Sequence, residues 1–130
     1  MLDGDELPAA EKASEQFRDL SFPQFWDGDQ KLGKEVARSL GAPAWTAWDI
    51  YLFYPPGAEW ADQGLPPPEA VLAQAGGVVV GAPGTLPPVA DQSHVPKRLR
   101  DRAVVVGEQS HLEALLAKVA EDVARRHPRP

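Results

Sequence analysis

The chain contains no cysteine. That excludes disulfides, thiolate zinc sites and every thiol nucleophile or redox couple from its own chemistry. Basic residues are also in the minority: 13 Lys and Arg stand against 19 Asp and Glu, a formal net charge of −6. An acidic domain repels phosphate backbones, so no nucleic-acid partner is expected. The one basic cluster, Lys97, Arg98, Arg100 and Arg102 interleaved with Leu99 and Asp101, reads as a solvated turn. No apolar run approaches the roughly 20 residues of a membrane span, so no membrane partner is expected either. The opening MLDGDELPAAEK is acidic without an apolar core, and the matching expectation is a cytoplasmic location. Nucleotide fingerprints are missing too. The glycines of residues 76–84 stand on both sides of a valine run, and Pro83, Pro87 and Pro88 occupy the place of Lys-Ser/Thr and a helix. His94, His111 and His127 are too scattered for a metal pattern, and no cofactor is expected.

What the chain has is proline, 14 in all, gathered in loops and at the tail. At 130 residues the expectation is a single domain, 1–130, with residues 1–7 and 127–130 frayed and residues 82–102 a long mobile loop. Pro8 opens a surface helix over residues 9–18, anchored by Phe17. Residues 20–26 alternate loosely around Pro23 and predict a short or edge strand. Asp29 is placed to cap a helix whose Leu32, Val36 and Leu40 recur every four residues, and Gly41 stops it. In residues 49–54 Ile50, Leu52 and Tyr54 face one way, Tyr51 and Phe53 the other. Both sets are apolar or aromatic, which predicts a central strand covered on both faces. Pro55-Pro56-Gly57 ends it, and residues 58–60 return as a hairpin partner.

Pro68 opens a short helix through Val71, Leu72 and Ala75, closed by Gly76-Gly77. Residues 77–81 and 103–106 are short buried strands. Ser110 and Glu113 form a capping box for a last helix with the stripe Leu112, Leu115, Leu116, Val119, Ala120 and Val123. Strands alternating with helices indicate an α/β layered domain, a central sheet with flanking helices.

The order of segment FPQFWDGDQKLG, helix, bend Gly41-Ala-Pro43, apolar strand 48–54, Pro-Gly turn, and the final strand and helix 103–126 resembles the second half of a bacterial thioredoxin-like redoxin. The likeness covers residues 15–60 and 103–126. It implies a small thioredoxin-like fold and, for the whole family, thiol–disulfide exchange at a Cys-x-x-Cys. That motif and the half of the fold that carries it are absent here, and Trp45-Thr-Ala-Trp48 separates the bend from the strand. The resemblance therefore implies either a redox-inactive relative, or a fragment of a thiol–disulfide oxidoreductase, periplasmic in that case.

Trp26, Trp45, Trp48 and Trp60 flank the central strand and its helix, where aromatics can line a cleft for an extended peptide or cap a core. The leading expectation is a protein- or peptide-binding module using Trp45, Trp48, Asp49, Trp26 and Pro43, with no catalytic residues. The competing expectation is a small cation-binding or acid–base enzyme using Asp27, Asp29 and Asp49. A homodimer through an unprotected edge at residues 20–26 is a further possibility.

Overall fold

Proline near its start and a following run of Ala, Glu and Lys set up the first helix, α1 (Leu7–Ser14), which a short 3-10 turn, Glu15–Phe17, prolongs. The computed structural model describes residues 6–62 and 64–128. The chain divides into two compact units, Met1–Trp48 and Asp49–Pro130.

In the first unit α1 buries none of its residues, and Phe17, expected to anchor it, is exposed. Residues 18–30 hold no strand. The expected edge strand at 20–26 is thus corrected: Pro23 removes a ladder donor, and the first unit holds no strand among its described residues to pair with it. The second helix, α2 (Lys31–Ser39), ends as its glycine predicts. Gly41 has φ 80, its N–H donates to the Arg38 carbonyl at 3.0 Å, and the Ala42 N–H donates to the Ala37 carbonyl at 2.8 Å. This paired closure satisfies carbonyls that a helix end otherwise leaves open. Of the predicted stripe only Val36 is buried, with Ala37 beside it; Leu32 is exposed.

The second unit is built on four antiparallel strands in the order β1-β2-β3-β4: β1 (Ile50–Phe53), β2 (Ala70–Ala75), β3 (Val78–Gly81) and β4 (Val104–Glu108). The expected helix through Val71, Leu72 and Ala75 is therefore the strand β2. Gly76 and Gly77, read as a helix stop, have φ 58 and 85. They form the two-residue hairpin turn whose twist matches paired strands and whose positive φ values suit glycine. The expected hairpin partner at residues 58–60 is not a strand; β1 pairs with β2, Tyr51 opposite Leu72. That puts β1 at the edge of the sheet rather than at its centre, and Tyr51 is exposed.

The two faces of the sheet have different covers. Ala70, Leu72, Val79 and Val106 face the last helix, α4 (Leu112–Arg126), which buries Val119 against them and lays Leu112, Leu115, Leu116 and Val123 over the same cluster. The predicted stripe is the packed one. The capping box is not made: Ser110 lies in a 3-10 turn, Gln109–His111, and no side chain caps α4. On the other face Val78, Val80 and Val105 pack against Val95, with Val89 and Leu99 around them. These last three come from residues 82–102, the stretch expected to be a mobile loop. It holds the four-residue helix α3 (Lys97–Arg100), and the Val89 N–H donates to the Val105 carbonyl at 2.9 Å. Its apolar residues follow no regular period, so their burial has no signature in sequence.

The chain has mixed helices and a four-stranded sheet, an α/β architecture in the general sense. Among the described residues no helix is long and apolar enough to cross a membrane.

Val95 is 2% exposed. Val95→Ala is expected to lower stability by about 2 kcal/mol, lost transfer energy plus a cavity. Urea unfolding measures it, and an unchanged midpoint would show that residues 82–102 do not cover this face.

Candidate functional site

The first turn of α2 is assembled by its surroundings. Residues 27–30 make a turn closed by the Gln30 N–H donating to the Asp27 carbonyl at 2.9 Å. Gln30 has φ 57 and offers α2 no side-chain cap. The Asp27 carboxylate supplies one instead: its Oδ2 accepts the Gly33 N–H at 3.0 Å. Asp29, the residue expected in this role, pairs with Lys31 at 2.9 Å. The left-handed residue between them turns the chain so that the more distant carboxylate reaches the free amides.

Both acids are held below the ordinary carboxylate range. For Asp27 the main cause is the Gly33 N–H; partial desolvation opposes it, and the Leu32 and Lys31 amides and the Lys34 charge add to it. For Asp29 the Lys31 ammonium is the cause, through its hydrogen bond first and its charge second.

Gly33 is tied on its other side as well. Its carbonyl accepts the Ala47 N–H at 2.9 Å. A Cβ on Gly33 would stand 2.7 Å from the Ala47 carbonyl oxygen and 2.8 Å from Thr46 Cγ2. The missing side chain is what allows residues 46–47 to lie against the helix. Pro43 stands exposed in the preceding turn, which the Trp45 N–H closes onto the Ala42 carbonyl at 3.0 Å. Pro at this place pre-sets the turn.

Three of the four tryptophans follow from these ties. Trp26 adjoins Asp27, Trp45 adjoins Thr46 and Trp48 adjoins Ala47, so each stands one residue from an atom anchored at the start of α2. They are exposed at 39%, 49% and 50% respectively. The Trp26 indole lies over Gly28, its Nε1 2.7 Å from the place of a Cβ there. Trp60 belongs to the second unit and meets Tyr54 edge-on at 6.3 Å between ring centres; burial pushes the Tyr54 phenol up.

Asp49 begins the second unit with φ 54, and its carbonyl accepts the Gln74 N–H at 3.3 Å. Its backbone is thus engaged in directing the chain into β1. Among the described residues no group of three or more His, Asp or Glu side chains is arranged to hold a metal ion. Asp27 and Asp29 are engaged as described, one with helix amides and one with a lysine.

Two features have no clear pattern in the sequence. Phe22 and Phe25 are exposed, Phe25 at 85%, and Phe22 meets Phe17 at 6.1 Å between ring centres. The loose alternation around Pro23 disguised them as strand residues. In the second unit His127 Nε2 lies 3.0 and 2.9 Å from the two Glu69 carboxylate oxygens, with Arg126 at 3.6 Å. His127 lies in the stretch expected to fray, yet it ties the end of α4 to the residue before β2. A pairing across 58 residues leaves no local signal.

Ala is the better helix former by about 0.5–1 kcal/mol, so Gly33→Ala in an isolated helix would stabilise. Here the clash with backbone is expected to reverse the sign and cost about 1–3 kcal/mol, read by thermal melting and by a shift in tryptophan emission. A more stable variant would show that residues 46–47 are not seated on Gly33. Asp27→Ala is expected to lose roughly 0.5–1 kcal/mol at neutral pH, the low part of the capping range because the carboxylate is partly exposed. A lowered folded-state pKa gives stability that is present above the unfolded value of about 3.9 and lost as pH falls through the folded value. The gap between variant and parent in melting temperature should therefore close below about pH 4; a pH-independent gap would remove the charge from the account.

No family model, no curated protein and no solved structure matches this chain.

Proposed function

We propose that this chain is a protein- or peptide-binding module without redox chemistry, and that Trp26, Trp45 and Trp48 form its contact surface. One observation carries the reading. The first unit fully buries only Val36 and Ala37 among its described residues while leaving these three indoles, Phe22 and Phe25 exposed. Large exposed aromatics on a short, tethered framework are costly in water and typical of surfaces that a partner covers. Tryptophan is also the residue most enriched among positions that dominate binding energy. The partner that fits is an extended or helical segment presenting apolar side chains. Pro43 shapes the turn that presents Trp45. Asp49 is left out of the surface, because its backbone serves β1.

The thioredoxin-like layering belongs to this proposal as well, and its support is the order of segments in residues 15–60 and 103–126. A chain without thiols cannot carry thiol–disulfide exchange by itself. A cation-dependent activity finds no favouring observation in the carboxylates.

The test is selection of peptides from a random library on the intact chain, followed by titration. Apolar, aromatic-containing peptides are expected to emerge. Trp48→Ala should weaken them by about 30-fold or more, the scale of a dominant contact, with the melting temperature nearly unchanged. Binding that ignores Trp26→Ala, Trp45→Ala and Trp48→Ala alike would overturn the reading, as would a Trp48→Ala chain that no longer folds.

A further inference from the structure

The sheet has two edges, and the chain treats them differently. The outer flank of β4 is met by residues 82–102, through the Val89 N–H on the Val105 carbonyl at 2.9 Å. Among the described residues of the second unit, nothing covers the outer flank of β1 in this way. The Asp49 carbonyl accepts from Gln74 at 3.3 Å and the Phe53 carbonyl from Glu69 at 2.8 Å, so residues 49, 51 and 53 turn their backbone groups toward β2. Antiparallel pairing alternates, and the N–H and C=O of Ile50 and Leu52 therefore point away from the sheet. Among the described residues of the second unit no backbone hydrogen bond from a loop or a turn reaches them.

Within Ile50–Phe53 the usual edge protections are missing: there is no lysine, no proline and no bulge. Such a strand is a template for another, and one register suits it to itself. We propose that β1 pairs with β1 of a second copy, antiparallel about a two-fold axis through Tyr51, joining two four-stranded sheets into one of eight strands. In this register Ile50 faces Leu52 of the second copy and Leu52 faces its Ile50, which engages all four outward-pointing groups of each copy. A register centred on Ile50 or Leu52 alone would engage half as many. Tyr51 faces the other Tyr51 as a pair without hydrogen bonds, the kind in which side chains stand closest, and aromatic pairs there stabilise. Asp49 falls opposite Phe53, so no like charges meet. Tyr51 lies on the α4 side of the sheet, opposite Leu72, and is exposed at 36%, which leaves room for its counterpart. An isologous contact of this kind closes at two copies and cannot propagate.

Sedimentation of the intact chain across the micromolar range tests the pairing. A monomer–dimer equilibrium is expected. It should tighten as salt is raised, because each copy carries a formal charge of −6. Tyr51→Lys sets like charges opposite each other on the axis and should weaken the dimer by about tenfold or more. The absence of native cysteine makes a sharper variant available. A pair without hydrogen bonds holds its Cα atoms about 4.5 Å apart, inside the disulfide range of about 4.4–6.8 Å. Tyr51→Cys should therefore cross-link on mild oxidation much faster than Glu121→Cys on the exposed side of α4. Should the Tyr51 variants fail to fold, hydrogen exchange at the Ile50 and Leu52 amides of the unaltered chain decides, with protection expected to rise with concentration. A chain that stays monomeric, a dimer indifferent to Tyr51→Lys, cross-linking no faster at position 51 than at 121, or amide protection independent of concentration would each overturn the proposal.

Discussion

Strands β2 and β3 are apolar on both faces, and the second unit is arranged to satisfy that. A strand with one wet face needs one cover; a strand such as Val78–Gly81, buried along its whole length, needs two. The longest helix supplies the first cover with a regular stripe. The second comes from an irregular, proline-rich segment that offers Val89, Val95 and Leu99 at uneven spacing. Proline stiffens that segment and lowers the entropy lost on fixing it, so it can serve as a layer without being a helix or a strand. The pairing order follows from the same demand. β2 and β3 lie inside the sheet because they are the strands that can be buried twice, and β1, with its exposed tyrosine, is left at the rim.

The first unit rests on a different constraint, the bare backbone of Gly33. One residue donates its N–H to Asp27 and accepts from Ala47, and its missing side chain leaves room for the second of these. The turn bearing Trp26 and the segment bearing Trp45 and Trp48 are thereby fixed to one helical turn. Such a surface is held by hydrogen bonds more than by a core, since among the described residues only Val36 and Ala37 are deeply buried there. A framework of that kind can leave its aromatics facing outward. In a packed domain the same indoles would be the first residues drawn inside.

Much of the element layout was legible. The stop at Gly41, the valine strands around residues 78–81 and 104–106, and the stripe of α4 all follow from local chemistry, and the tryptophans were visible as candidates by type and place. Other features had no local signature. Residues 70–75, AVLAQA, are helix formers by propensity, and they are a strand because Gly76-Gly77 reverses the chain and offers β3 as a partner. Asp29 stood nearest to the helix start, but the left-handed Gln30 handed the cap to Asp27. β1 is apolar on both faces, and nothing in its own residues says which neighbours it pairs with.

The sequence by itself determined that thiol chemistry is out of reach of this chain, the periods of the helices and the turns forced by glycine and proline. These depend on residues within one or two turns of each other. Only the tertiary structure decided which strand is central, that residues 82–102 form a layer, that His127 meets Glu69, and which carboxylate caps α2. Each of those outcomes rests on a contact between backbone or side-chain atoms brought together by folding, and the physical reason is the same in every case. Burial and hydrogen bonding are satisfied by whatever partner the whole chain can deliver, which no single stretch encodes.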